Sequence, residues 1–120
     1  MSYFFDSYAI IELIEANPSY SRFQDFTIIT SVLNIGEVYT IFLRNEGKTK
    51  ADEWFESFNF ELCEITPEII IEASNFRYIN RKRDLSITDT VGYILSLKKN
   101  LKFLTGDRQF ENMENVEFVK

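Results

Sequence analysis

The sequence has no histidine and only one cysteine among its 120 residues. Without histidine the commonest general acid and base is missing, along with the Ser-His and Cys-His pairs that activate hydroxyl and thiol nucleophiles. The lone Cys63 has no partner for an internal disulfide, and with no histidine a zinc site of the usual Cys/His kind is excluded. A small apolar core residue is its ordinary role. Cations are scarce too: 13 Lys and Arg face 19 Asp and Glu, a formal net charge of −6. The chain as a whole therefore lacks the cationic footprint of a nucleic-acid binder, and any such binding needs a local basic patch or bound cations. No apolar run approaches membrane-spanning length, and the opening MSYFFDSY carries an acid at position 6 in place of a cleavable apolar run. A soluble cytoplasmic protein is expected, in which carboxylates or metals must carry any hydrolytic chemistry.

Hydrophobic residues make up 45% of the chain, with 12 Phe and 6 Tyr, a globular composition. The length suits one core, and with no linker or repeat visible residues 1–120 are expected to form a single domain. Tyr3 to Phe5 reads as a short buried strand ending at Asp6, with Ser7 as cap of a helix from Tyr8 that stops at Asn17-Pro18-Ser19. Thr27 to Thr30 reads as a second strand. Ser31 then caps a helix carrying Glu37 and running to Gly47, and Thr49 and Asp52 suggest a further short capped helix. Phe58, Phe60 and Leu62 alternate as a strand does. Thr66-Pro67-Glu68 opens a helix whose inward residues are expected to be Ile69, Ile70, Ala73 and Phe76. That segment finishes in Arg77, Arg81, Lys82 and Arg83, the densest basic cluster in the chain, which as cations in a last helical turn also suits the helix dipole.

The stretch Asp84 to Phe110 organises the rest. Ser86 and Asp89 have the spacing of a capping box, so Asp89 falls in a first helical turn, with Ile87, Val91, Ile94 and Leu95 on one face. Leu101 to Thr105 reads as a buried strand broken by Gly106, which places Asp107 just past its carboxyl end. Val116, Phe118 and Val119 suggest an edge strand. Strands alternating with helices predict a three-layer α/β/α sandwich around a mainly parallel sheet, where ligands collect outside the carboxyl ends of the strands.

Taken singly, Asp6, Glu37, Asp89 and Asp107 can each be caps or solvated surface acids. Each, however, lies among apolar neighbours, and together they are expected at the sheet's carboxyl-end rim. Crowded carboxylates repel and raise one another's pKa unless a cation is present, and a hard divalent ion such as Mg2+ or Mn2+ resolves this with oxygen ligands. Such ions generate hydroxide and stabilise the charge of phosphodiester displacement, chemistry that needs no histidine.

The segments YFFDSYAIIELI, SVLNIGEVY, LSITDTVGYILSLKKN and KFLTGDRQF, in this order, resemble a PIN-domain ribonuclease of the small prokaryotic VapC toxin type. The resemblance implies that Asp6, Glu37, Asp89 and Asp107 are the metal-site acids, with Ser7 and Thr105 as hydroxyl neighbours. It implies a Mg2+- or Mn2+-dependent endoribonuclease acting on RNA, a homodimer, and an antitoxin whose tail offers a basic residue to the acidic groove. RNA contact would then fall to Arg77, Arg81, Lys82, Arg83 and Arg108. A PIN nuclease of RNA processing that is no toxin, a receiver-like phosphoacceptor, and a non-catalytic acidic α/β binding module are the competing readings. The receiver pattern is poorly met, because Ser7 follows Asp6 where it wants paired acids.

Overall fold

The computed structural model describes residues 2–120. Five short strands, β1 (Tyr3–Phe5), β2 (Ile28–Thr30), β3 (Phe60–Leu62), β4 (Lys102–Thr105) and β5 (Val116–Phe118), form one sheet in the order β3-β2-β1-β4-β5. Every pairing is parallel. Parallel neighbours require crossovers, supplied mainly by helices α1 (Ser7–Ile14), α2 (Val32–Glu46), α3 (Lys48–Ser57), α4 (Pro67–Ile79) and α5 (Ile87–Lys98). The chain builds outward from β1 to β3, then returns to the other side of β1 for β4 and β5. The strand order therefore reverses between β1 and β4, where a crevice opens at the carboxyl ends.

β1 is apolar throughout because both faces of the sheet are covered. Tyr3 and Phe5 join Ile10, Tyr20, Phe23, Val38, Trp54 and Leu104 on one face. Phe4 points the opposite way, as the period of two demands, and joins Val91, Tyr93, Leu95, Phe103 and Phe110. Burial of each such phenylalanine stabilises the fold by roughly 2–3 kcal/mol. α5 docks closely on this second face, since a Cβ at Gly92 would lie 2.8 Å from Phe4 Cε1. Among the described residues no helix is long and apolar enough to cross a membrane.

Several local expectations fail, each for a physical reason. α1 starts at Ser7 itself with Asp6 at its N-cap position, so Ser7 is not the cap. Thr49 and Asp52 do not cap α3: Gly47, at φ 89°, turns the chain into it, and Asp52 instead pairs with Lys48 at 2.6 Å. Ile70 and Ile87, expected inward, are 37% and 38% exposed. Three successive isoleucines at positions 69–71 spread apolar character around α4, so periodicity cannot choose its buried face, and Ala73 is the residue that is fully buried.

Candidate active site

Register delivers the first two members of the site. Phe5 pairs with Leu104, and the Asp6 N–H extends that ladder by donating to Leu104 O at 3.0 Å. This sets Asp6 beside Thr105, whose Oγ1 donates to Asp6 Oδ2 at 2.7 Å and accepts from the Asp107 N–H at 3.0 Å. One hydroxyl thus ties together the acids that follow β1 and β4. Asp107 Oδ1 accepts from Gln109 N at 3.0 Å, capping a short 3-10 turn over Arg108–Phe110. Asp89 is fixed by the expected capping box: Ser86 N donates to Asp89 Oδ2 and Asp89 N to Ser86 Oγ, both at 3.0 Å. Glu37, half-buried in the second turn of α2, lines a groove of about 530 Å³ that also touches Thr88, next to Asp89.

Electrostatics shows that these acids share one field. Burial, then the charge of Asp89 and more weakly that of Glu37, pushes the Asp6 carboxyl up from 3.8 to about 7, against the hydrogen bond from Thr105. Asp89 is also raised, by burial first and then by Asp107 and Glu37, while hydrogen bonds from Ser86 pull it down. Asp6 Oδ1 is buried and has no hydrogen-bond partner. An orphaned carboxylate oxygen in the field of other acids is costly by itself and is the kind of donor that a hard cation takes up. Among the described residues no three His, Cys, Asp or Glu side chains are gathered into a set that could hold an ion unaided. An oxygen-only rim that supplies one or two carboxylates and leaves the remaining positions to water still suits Mg2+ or Mn2+.

Beneath the rim lies a residue the sequence did not single out. Asn34, fully buried, donates from Nδ2 to Ser7 Oγ at 2.9 Å and accepts on Oδ1 from Ser31 Oγ at 2.7 Å. Ser7 is therefore held through α2 rather than used as a cap. The only local sign was a polar residue one turn before Glu37 on an otherwise apolar stripe. Replacing Asn34 by Ala strands two buried hydroxyls, and thermal unfolding should show a loss of about 2–3 kcal/mol. Of the basic residues, Arg77, Arg81 and Arg83 surround one cavity, whereas Lys82 and Arg108 lie outside it. Arg108 approaches Glu111 at 3.6 Å.

A buried aspartate clamped at a parallel sheet's reversal point, in the field of acids from two helices and tied through Thr105 to an acid past a strand end, defines a class of acidic-centre α/β proteins. Within it, the sequence model of the PIN domain matches residues 3–116, and the chain belongs to that family. No curated protein sequence matches it significantly. Among solved structures it is similar to VapC20 of Mycobacterium tuberculosis, a sarcin-ricin loop cleaving toxin, with 20% identity, 99% of this chain and 100% of the other covered, and a TM-score of 0.80. It is also similar to VapBC2 from Rickettsia felis bound to a DNA fragment from the promoter, with 15% identity, complete coverage of both chains and a TM-score of 0.74. A toxin-antitoxin complex from Klebsiella pneumoniae gives 14% identity, 98% and 96% coverage, and a TM-score of 0.72. At these identities the likeness is one of fold, a VapC-like sandwich.

Proposed function

We propose that the protein is a divalent-metal-dependent endoribonuclease and the toxin of a toxin–antitoxin pair. The observation that carries this is Asp6. Asp89 and Asp107 have structural explanations as capping residues, but Asp6, at the N-cap position of α1, makes no cap bond and leaves Oδ1 unpartnered in the interior. A binding module whose acids only cap helices has no use for such a group.

In this reading Asp6, Glu37, Asp89 and Asp107 are the acids of a site for one or two ions of Mg2+ or Mn2+, one or two of them binding an ion directly and the others acting through its bound waters. When bound, the metal lowers the pKa of water and offsets charge on the phosphodiester. The chain's own part is positioning: Thr105 fixes Asp6 Oδ2 and so aims Oδ1, the capping box immobilises Asp89, and half-exposed Glu37 and Asp107 meet solvent and substrate. An antitoxin partner is supported by the complexes among the structures of similar fold. Its arginine would pair with the same carboxylates that otherwise call for metal. A homodimer is part of the same proposal.

The test is cleavage of labelled RNA by antitoxin-free protein in Mg2+, Mn2+ or EDTA, with an unstructured strand and a sarcin-ricin hairpin as substrates. Cutting should require metal and fall by roughly 10²–10³-fold in Asp6→Asn. A variant as active as the wild type would sink the site assignment.

A further inference from the structure

We propose that the cleft between the end of α4 and the start of α5 binds a single-stranded nucleotide flanking the cut, its phosphate on Arg77, Arg81 and Arg83 and its base on Tyr78. This rests on the ribonuclease reading and names the part of the substrate the acids do not touch. The cleft has a volume of about 370 Å³, lined by these four residues together with Asp84 and Leu85 among others. That lies within the roughly 300–1,000 Å³ of small-ligand sites.

Three features point to an anion. First, each guanidinium is oriented by a backbone carbonyl: Arg77 Nε donates to Leu85 O at 2.7 Å, Arg81 Nη1 to Tyr78 O at 3.0 Å, and Arg83 Nη1 to Gln109 O at 2.7 Å. An arginine has five N–H donors, so each keeps several for a ligand and loses little freedom on using them. Second, none of the three takes part in an ion pair among the described residues, although Asp84 lines the same cleft and the chain carries a net charge of −6. The dipole of α4 accounts for a cation at Arg77 in its last turn but not for Arg83, beyond the helix end at Ile79. Third, the cleft is hitched to the acids. Leu85 immediately precedes Ser86, which holds Asp89, and Gln109 N itself binds Asp107 Oδ1.

An aromatic surface is present for the base. Tyr78 is 67% exposed, and the Arg81 guanidinium lies 4.6 Å from its ring centroid. Exposed aromatic and guanidinium planes beside a phosphate site are the means by which single strands are held without sequence preference. A duplex keeps its bases stacked inward and cannot use them, so the cleft selects unpaired RNA.

Arg81 and Tyr78 are exposed, and their replacement leaves the core intact. The experiment titrates a labelled oligouridylate 12-mer, in EDTA to prevent cutting, against wild type, Arg81→Ala, Arg81→Lys and Tyr78→Ala, across a salt series. Arg81→Ala and Tyr78→Ala should each bind about tenfold more weakly. Arg81→Ala should lower the salt slope by about 0.7, the value for one phosphate contact on a single strand, and Arg81→Lys should restore the slope but not the full affinity. In Mg2+ these variants should raise KM with kcat unchanged. Variants that match the wild type in affinity and slope, or a wild type that prefers a duplex 12-mer, would overturn the cleft while leaving the nuclease standing. A wild type that neither binds nor cuts RNA overturns both.

Discussion

In metal-free protein at pH 8, Asp6→Asn should raise stability by about 3 kcal/mol, and at pH 5 more than half of that gain should disappear. The Asp6 carboxyl stands at about 7 in the folded chain against 3.8 for an ordinary aspartate. Between those values the folded protein holds a proton that the unfolded chain has released. The stability tied to this proton is complete below about pH 4 and is lost as pH rises through about 7. Three pKa units at ~1.4 kcal/mol each correspond to about 4 kcal/mol by pH 8. Asparagine removes the charge and can keep the Thr105 hydrogen bond, but buries an amide with no known acceptor, which offsets about 1 kcal/mol. The unfolding midpoint in EDTA at pH 8 should rise by about 10 °C. If Asp6 is a metal ligand as proposed, saturating Mg2+ or Mn2+ should narrow or reverse the gap, since the ion then stabilises the wild type more than the variant. A destabilised variant in EDTA at pH 8 would show that the carboxylate holds the fold together, against the metal-ligand role proposed for it.

Gly106→Ala should destabilise by about 3 kcal/mol and depress cleavage with it. An added Cβ would meet Tyr8 Cε1 at 2.2 Å, Val119 O at 2.5 Å and Tyr8 Cζ at 2.7 Å. Val119 O, a backbone atom, cannot retreat freely. The Val119 N–H donates to Thr105 O at 2.9 Å, and the Tyr8 ring is covered by the Lys120 ammonium 5.2 Å from its centroid. Overpacking of this kind costs typically 1–3 kcal/mol and more where backbone must move. The strain falls between Thr105 and Asp107, so the clamp on Asp6 shifts. Gly36→Ala is the matched control: nothing lies within 4 Å of its Cβ, and in the interior of α2 alanine should stabilise by up to ~1 kcal/mol. Chemical unfolding and cleavage of both variants, side by side, measure the contrast.

What could be read in the sequence was whatever depends on neighbours in the chain. The Ser86–Asp89 box, the Thr66-Pro67 helix start and the apolar β1 rest on spacings of a few residues, and each is found where expected. The parallel sheet followed from the alternation of strands and helices. What stayed hidden depends on how elements cross. Asn34 and Ser7 are 27 residues apart and meet only because α2 lies over the start of α1. Nothing in the sequence distinguishes Arg81, turned into a cleft, from Lys82, outside it. Gly106 was legible as a strand breaker, while its close approach to Tyr8 and Val119 was not.

The clamp between Asp6 and Thr105 spans 99 residues, and β1 waits at the centre of the sheet for β4 to arrive beside it. Pairing of β1 with β2 can form early, since Phe4 and Ile29 lie close in the chain, but long-range parallel pairing is slow and comes late. At the usual 5–20 residues per second, roughly 5–20 s of synthesis separate the first acid from its clamp. A growing chain therefore carries Asp6, Glu37 and Asp89 for many seconds before the Thr105 hydroxyl that clamps Asp6 exists.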